Sequence, residues 1–277
     1  MSSSAVHLTE CPNCGAALSG AYCASCGQKN APVNPSMHDV LHEVTHEFLH
    51  LDGKLLRSMK LLALSPGTLT RELFAGRRAS FVTPLRLYLV CSLMYFGTAA
   101  FAPGLDFRVT VGAAKSGGSS FSWRNERRSS DPEELRRYGF ANQQELEAAV
   151  GEAVVLWVPR VMFILVPLFA AMLALVTRGS GHNYPQHVYF ALHVHAAWFL
   201  ALTVAALGRL LPWGGVQAAI GFATLVFIGV YFGRALRRAY GVSRAGGLWR
   251  TAAVGLVYGL AVAVALVGVV LPVVLMR

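Results

Sequence analysis

WVPRVMFILVPLFAAMLALVTRGSGHNYPQHVYFALHVHAAWFLALTVAALGRLL, residues 157–211, sets two long apolar runs either side of a short polar link at 178–184. Apolar segments of about 20 residues are long enough to span a hydrocarbon core, so this stretch reads as a membrane hairpin. Its second run carries His187, His193 and His195, and ionisable groups inside a span are functional candidates by default. Composition agrees: 55% of the 277 residues are hydrophobic and 14% are charged, and the mean hydropathy of +0.48 is too high for a soluble domain of this size.

Outward from the hairpin, further apolar runs fall at about 215–234 and 250–274 on one side and at about 84–103 on the other, beside the pair at 154–177 and 185–208. The expected architecture is an all-α integral membrane protein of about five transmembrane helices. The formal charge of +10 comes from 24 basic and 14 acidic residues, and in a membrane protein Lys and Arg collect in cytoplasmic loops. RALRRAYGVSRAGGLWR at 234–250 holds five arginines and no acid, whereas the 104–153 loop is nearly balanced, with seven basic and eight acidic residues. The count places the N-terminus, the 178–184 link and 234–250 in the cytoplasm, with the 104–153 loop and the C-terminus outside. The opening MSSSAVHLTE lacks the basic and apolar regions of a cleaved signal peptide. Within the external loop, Ser130-Asp131-Pro132 opens a short helix, and a second short helix is expected after Asn142.

Residues 31–81 read as a linker followed by amphipathic membrane-surface helices. Between 37 and 62, apolar residues recur at helical spacing, with His38, His42, His46 and His50 opposite the apolar stripe. HEVTH places His42, Glu43 and His46 in the H-E-x-x-H arrangement, in which two histidines one turn apart can hold zinc and the glutamate act as base. The pattern overlaps a second copy, HEFLH, as a histidine register repeating every four residues would produce on a solvated face. A third ligand and a cleft are needed before a metalloprotease follows.

At 1–30 the signal is sharper. CPNCGAALSGAYCASCG places Cys11 and Cys14, then Cys23 and Cys26, in two C-x-x-C knuckles, each followed by a glycine that permits a tight turn. The spacing predicts a structural zinc ribbon, a closed site with one Zn2+ held tetrahedrally by four thiolates. A redox dithiol or two disulfides are the competing readings, and a reducing cytoplasm disfavours the disulfides. With Lys29 the one basic residue in 1–30, a nucleic-acid partner is not expected; a cytosolic protein partner is, besides the lipid bilayer itself.

Several stretches together resemble the uncharacterised bacterial membrane-protein family known as domain of unknown function 3667. They are CPNCG…YCASCGQ, HE…D-x-G, LLALSPG…GRRASFVTPLRLYL, and PRVMFILVPLFA leading into YPQHVYFALHVHAAWFL, covering residues 11–102 and 157–203. The resemblance implies an integral membrane protein with a cytosolic zinc ribbon and no assigned activity, so it carries over no catalytic residues. In proteins of this type the position of Gln186 is commonly acidic.

On an ideal helix His187 and His195 lie about 80° apart but about 12 Å along the axis, and His193 and His195 diverge by about 200°. No pair ligates one ion from a straight helix, and the other runs hold no histidine. Interhelical hydrogen bonds to carbonyls or tyrosines are the ordinary role for such residues. A solute or ion conduit lined by His193 and His195 is the alternative. Arg160, a turn or two inside the outer end of its run, is placed to snorkel outward. G-x-x-x-G occurs at Gly229 to Gly233 and at Gly255 to Gly259, compatible with packing inside the bundle or with a homo-oligomer. Taken together, these readings describe a non-enzymatic membrane protein with a zinc-ribbon docking or regulatory head.

Overall fold

The computed structural model describes residues 8–30, 36–37, 53–101 and 132–275. The H-E-x-x-H residues His42, Glu43 and His46, the amphipathic stretch before Gly53 and the loop over 102–131 lie outside the described residues. Among the described residues, eight named helices follow in order: α1 Gly53–Leu64, α2 Thr68–Phe74, α3 Pro84–Phe101, α4 Pro132–Arg137, α5 Gln143–Val176, α6 Tyr184–Gly208, α7 Gly214–Tyr240 and α8 Arg244–Leu275.

Four of them, α5 to α8, are long and apolar enough to cross a membrane. The first expected run is the 18-residue α3, about 27 Å long at 1.5 Å per residue. The architecture is therefore an all-helical, multi-pass bundle with a span count near five. Turns at 65–67, 75–83, 177–183 and 241–243 gather at one end with the cysteine module, termed here the ribbon end. Leu135 and Phe140 pack with Leu146, Val150 and Val274 at the far end.

The histidine-bearing α6 is the centre of the bundle. Over its most apolar window 61% of residues are buried, against 11% for α7 and 17% for α8. It starts where Asn183 accepts from the Gln186 amide at 3.2 Å while Gln186 Oε1 accepts from the Asn183 amide at 2.9 Å, a reciprocal cap followed by a proline in the first turn. Phe199 of α6 packs against Tyr88, Tyr95 and Phe96 of α3, and Phe190 packs against Phe232 of α7.

Two expected boundaries are corrected. The short helix after Asn142 is the first part of α5, a continuous 34-residue helix capped by Asn142. Pro159 and Pro167 lie inside it without ending it, because a spanning helix packed against neighbours tolerates the lost backbone bonds. The 234–250 segment is mostly helix: its link is 241–243, with Gly241 at φ 65° closing α7. Its arginines therefore project from the ends of α7 and α8.

α1 and α2 form a hairpin set against α6 and α7, burying Leu55, Ser58, Leu62, Leu69 and Thr70. The turn between them passes so close to α7 that a Cβ on Gly67 would lie 2.5 Å from the Ala235 carbonyl oxygen, and its φ of 77° already suits glycine. Tyr231 donates to the Leu62 carbonyl at 2.9 Å. Arg238 donates to Pro66 O at 3.2 Å and Thr68 Oγ1 at 2.9 Å, tying the hairpin to the end of α7.

Candidate metal centre

The cysteine module is built from one local pattern used twice, twelve residues apart. In the first copy Cys11 N–H donates to Ala16 O, Gly15 N–H to Cys11 O and Leu18 N–H to Thr9 O. In the second, Cys23 donates to Gln28, Gly27 to Cys23 and Asn30 to Ala21. Gly15 at φ 76° and Gly27 at φ 72° make the turns that β-carbons would strain. The result brings four thiols to one point.

Their sulfurs all lie within 4.8 Å of one another, with Cys11 to Cys26 at 3.6 Å and Cys14 to Cys23 at 3.5 Å. Ligands at about 2.3 Å from a tetrahedral zinc stand about 3.8 Å apart, so the spacing fits four thiolates around one ion. It is far too long for a disulfide, whose sulfurs bond at about 2.05 Å, and all four cysteines are free. The backbone amide of Cys26, helped by that of Ser25, pulls the Cys23 thiol down to about 7. Against the lowering pull of the Ala16 amide, the neighbouring sulfurs push Cys14 up to about 12. Four adjacent sulfurs cannot all ionise without a cation, and a metal ion would supply the missing charge.

Gln28 sits where the first copy has Ala16, and its longer side chain makes a contact absent from the sequence reading. It is buried at 8% exposure. Its Nε2 donates to the Gly76 carbonyl at 2.9 Å, and its Oε1 accepts from the amides of Arg78 at 2.9 Å and Ala79 at 3.1 Å. Ser80 Oγ donates to Asn13 Oδ1 at 3.1 Å. The module is thus fastened to the loop entering α3, and that loop is fastened to α1 by Val82 N–H donating to Ser58 Oγ at 3.2 Å. The sequence signal was a glutamine directly after C-x-x-C-G, whose purpose is visible only once the loop is beside it.

The three histidines are not brought together. His187 Nδ1 shares a 2.7 Å hydrogen bond with the Tyr240 hydroxyl of α7, and the two rings stack. His193 Nδ1 shares a 2.9 Å bond with Thr70 Oγ1 of α2. His195 Nδ1 meets the Ala191 carbonyl at 2.8 Å, so it carries the proton, and Nε2 accepts from Tyr258 of α8 at 2.7 Å. Each histidine therefore bonds a different element. Beside His193 is a cavity of about 30 Å³, also lined by Arg77, Arg78 and Thr83. It has room for a water or two, not for a solute path. Arg160 is exposed, donating to the Leu156 carbonyl at 2.6 Å.

A membrane-spanning helix bundle with a four-cysteine module held on one end is the class these features define. Residues 52–96 match a family model described as protein of unknown function (DUF3667). The matched segment comprises the α1–α2 hairpin, the loop that receives Gln28 and most of α3. The cysteine module and the hairpin of α5 and α6, which also carry the resemblance, lie outside it. No curated protein and no solved structure matches the chain.

Proposed function

We propose that the chain is a non-enzymatic bacterial inner-membrane protein whose ribbon, loaded with structural zinc, is a docking or regulatory head for a cytosolic protein. In this reading the N-terminus is cytoplasmic and the C-terminus outside. The observation that carries it is Gln28, whose three hydrogen bonds tie the cysteine module to the loop between the α1–α2 hairpin and α3. Four thiolates close the coordination sphere, leaving no open position for a substrate. The module presents Tyr22, 63% exposed, and the exposed Lys29, an aromatic and a cation suited to anchoring a partner. A partner bound there would act on the bundle through the Gln28 contact.

The test is metal analysis with hydrogen exchange on the full-length protein. Purified under reducing conditions, it should hold about one zinc per chain. Each hydrogen bond is worth about 1 kcal/mol net, so removing zinc with a chelator, or Gln28→Ala, should speed exchange of the Arg78 and Ala79 amides about tenfold or more. Zinc-free protein with unchanged protection there would refute the coupling. A photo-crosslinker in place of Tyr22 should capture one defined protein that Cys14→Ser no longer captures.

A further inference from the structure

α5 and α8 enclose between them a groove of about 890 Å³, within the range of ligand sites. Its walls run from Trp157 past Leu168 to Met172 on α5, and from Val257 past Gly268 to Val273 on α8. The α5 wall alone is about 22 Å long. A Cβ built on Gly268 would meet nothing within 4 Å, so the groove is open at that position.

Arg160 stands beside the far-end mouth. Its Cζ lies 5.3 Å from the centre of the Trp157 ring, and Trp157 lines the groove. Sixteen residues separate Arg160 from the ribbon end of α5 at Val176, about 24 Å of helix, which leaves it inside a core about 30 Å thick. It is the one charged residue in α5 beyond Glu152. Both ion pairs among the described residues belong to Glu72, at the other end. A lipid-exposed guanidinium at this depth calls for an anion, and phosphate oxygens match its planar fork of donors.

Residues 84–101 and 153–277 contain no Asp or Glu. On the α5 of a second copy the acid nearest in depth to Arg160 is Glu152, eight residues or about 12 Å further toward the far end, whereas the bilayer has phosphate at the end of an acyl chain. We propose that the groove is a binding site for an anionic phospholipid, its acyl chain lying along α5 and α8 and its phosphate held by Arg160. This goes beyond the reading of the ribbon and does not depend on it.

The experiment is native mass spectrometry of the full-length protein reconstituted with dioleoyl phosphatidylglycerol and dioleoyl phosphatidylcholine, counting lipids retained per chain. The native chain should retain the glycerol lipid preferentially, and Arg160→Gln should lower that retention about tenfold, as expected for losing a charge-assisted hydrogen bond. Arg160→Lys, which keeps the charge, should preserve most of it. Gly268→Phe should expel the lipid with Arg160 intact, and Arg209→Gln, at the same end but outside the groove, should change nothing. Equal retention in Arg160→Gln, or equal loss in Arg209→Gln, would overturn the site. So would a lipid-free dimer that Gly268→Phe dissociates, since a second copy would then be the occupant.

Discussion

Tyr258 and His195 illustrate what single residues contribute here. Between membrane helices apolar contact gives little net advantage over lipid, so packing and polar bonds hold the elements together. Tyr258→Phe would leave His195 Nε2 buried without its 2.7 Å partner. It should cost about 0.5–2 kcal/mol in reversible unfolding, and adding His195→Leu should cost less than the sum of the two single changes. Outside the spans, the Arg77 side chain donates to Glu72 and, with desolvation opposing it, holds that carboxyl below its usual 4.5. A depressed folded pKa contributes stability above the unfolded value and loses it as pH falls through the folded one. Stability should therefore decline below about pH 4.5, and the decline should be shallower in Glu72→Gln when thermal unfolding is followed against pH. Gln186 belongs to the same scale. A neutral glutamine completes the cap of α6 as well as an acid would.

Among elements, the turn between α1 and α2 is the most constrained contact. Gly67→Ala brings a β-carbon to 2.5 Å from a backbone oxygen at φ 77°, and neither α7 nor the turn can yield cheaply. A loss of about 2 kcal/mol or more is expected, read as a lower unfolding temperature and greater protease sensitivity near Pro66. Gly255→Ala is the contrasting case. Its β-carbon meets nothing within 4 Å among the described residues, so it should be neutral or stabilising by up to about 1 kcal/mol. The two G-x-x-x-G patterns differ accordingly. A Cβ on Gly233 would stand 3.3 Å from Thr251 Oγ1 of α8, placing this glycine in the α7–α8 contact, whereas a Cβ on Gly255 or Gly259 would meet nothing within 4 Å among the described residues.

At the scale of the whole molecule, the turns near the ribbon carry Arg77, Arg78 and Arg178, and helix ends there carry Arg237, Arg238, Arg244 and Arg250. If the inner leaflet and the cytoplasm retain these cations, a fusion at the C-terminus should be active only for a reporter that works outside the cytoplasm. A fusion at the N-terminus should be silent with that reporter. Activity from the N-terminal fusion would invert the proposed orientation.

The sequence by itself determined the membrane class, the positions of the apolar runs and the grouping of the four cysteines. Those features depend on local quantities: hydropathy over some 20 residues, and knuckle spacing with a glycine at each turn. It also determined that the three membrane histidines cannot share an ion, because helical geometry alone separates them. Helix ends were less legible, since α5 runs through a glycine and two prolines that packing tolerates. Only the tertiary structure decided the partners. Thr70 reaches His193 across 123 positions of sequence, Tyr231 reaches Leu62 across 169 and Gln28 reaches the loop before α3 across about 50. A hydrogen bond forms where two groups are brought within 3 Å. No periodicity records which distant turn will lie beside a glutamine, or that an arginine will stand at the mouth of a groove whose other wall is the last helix.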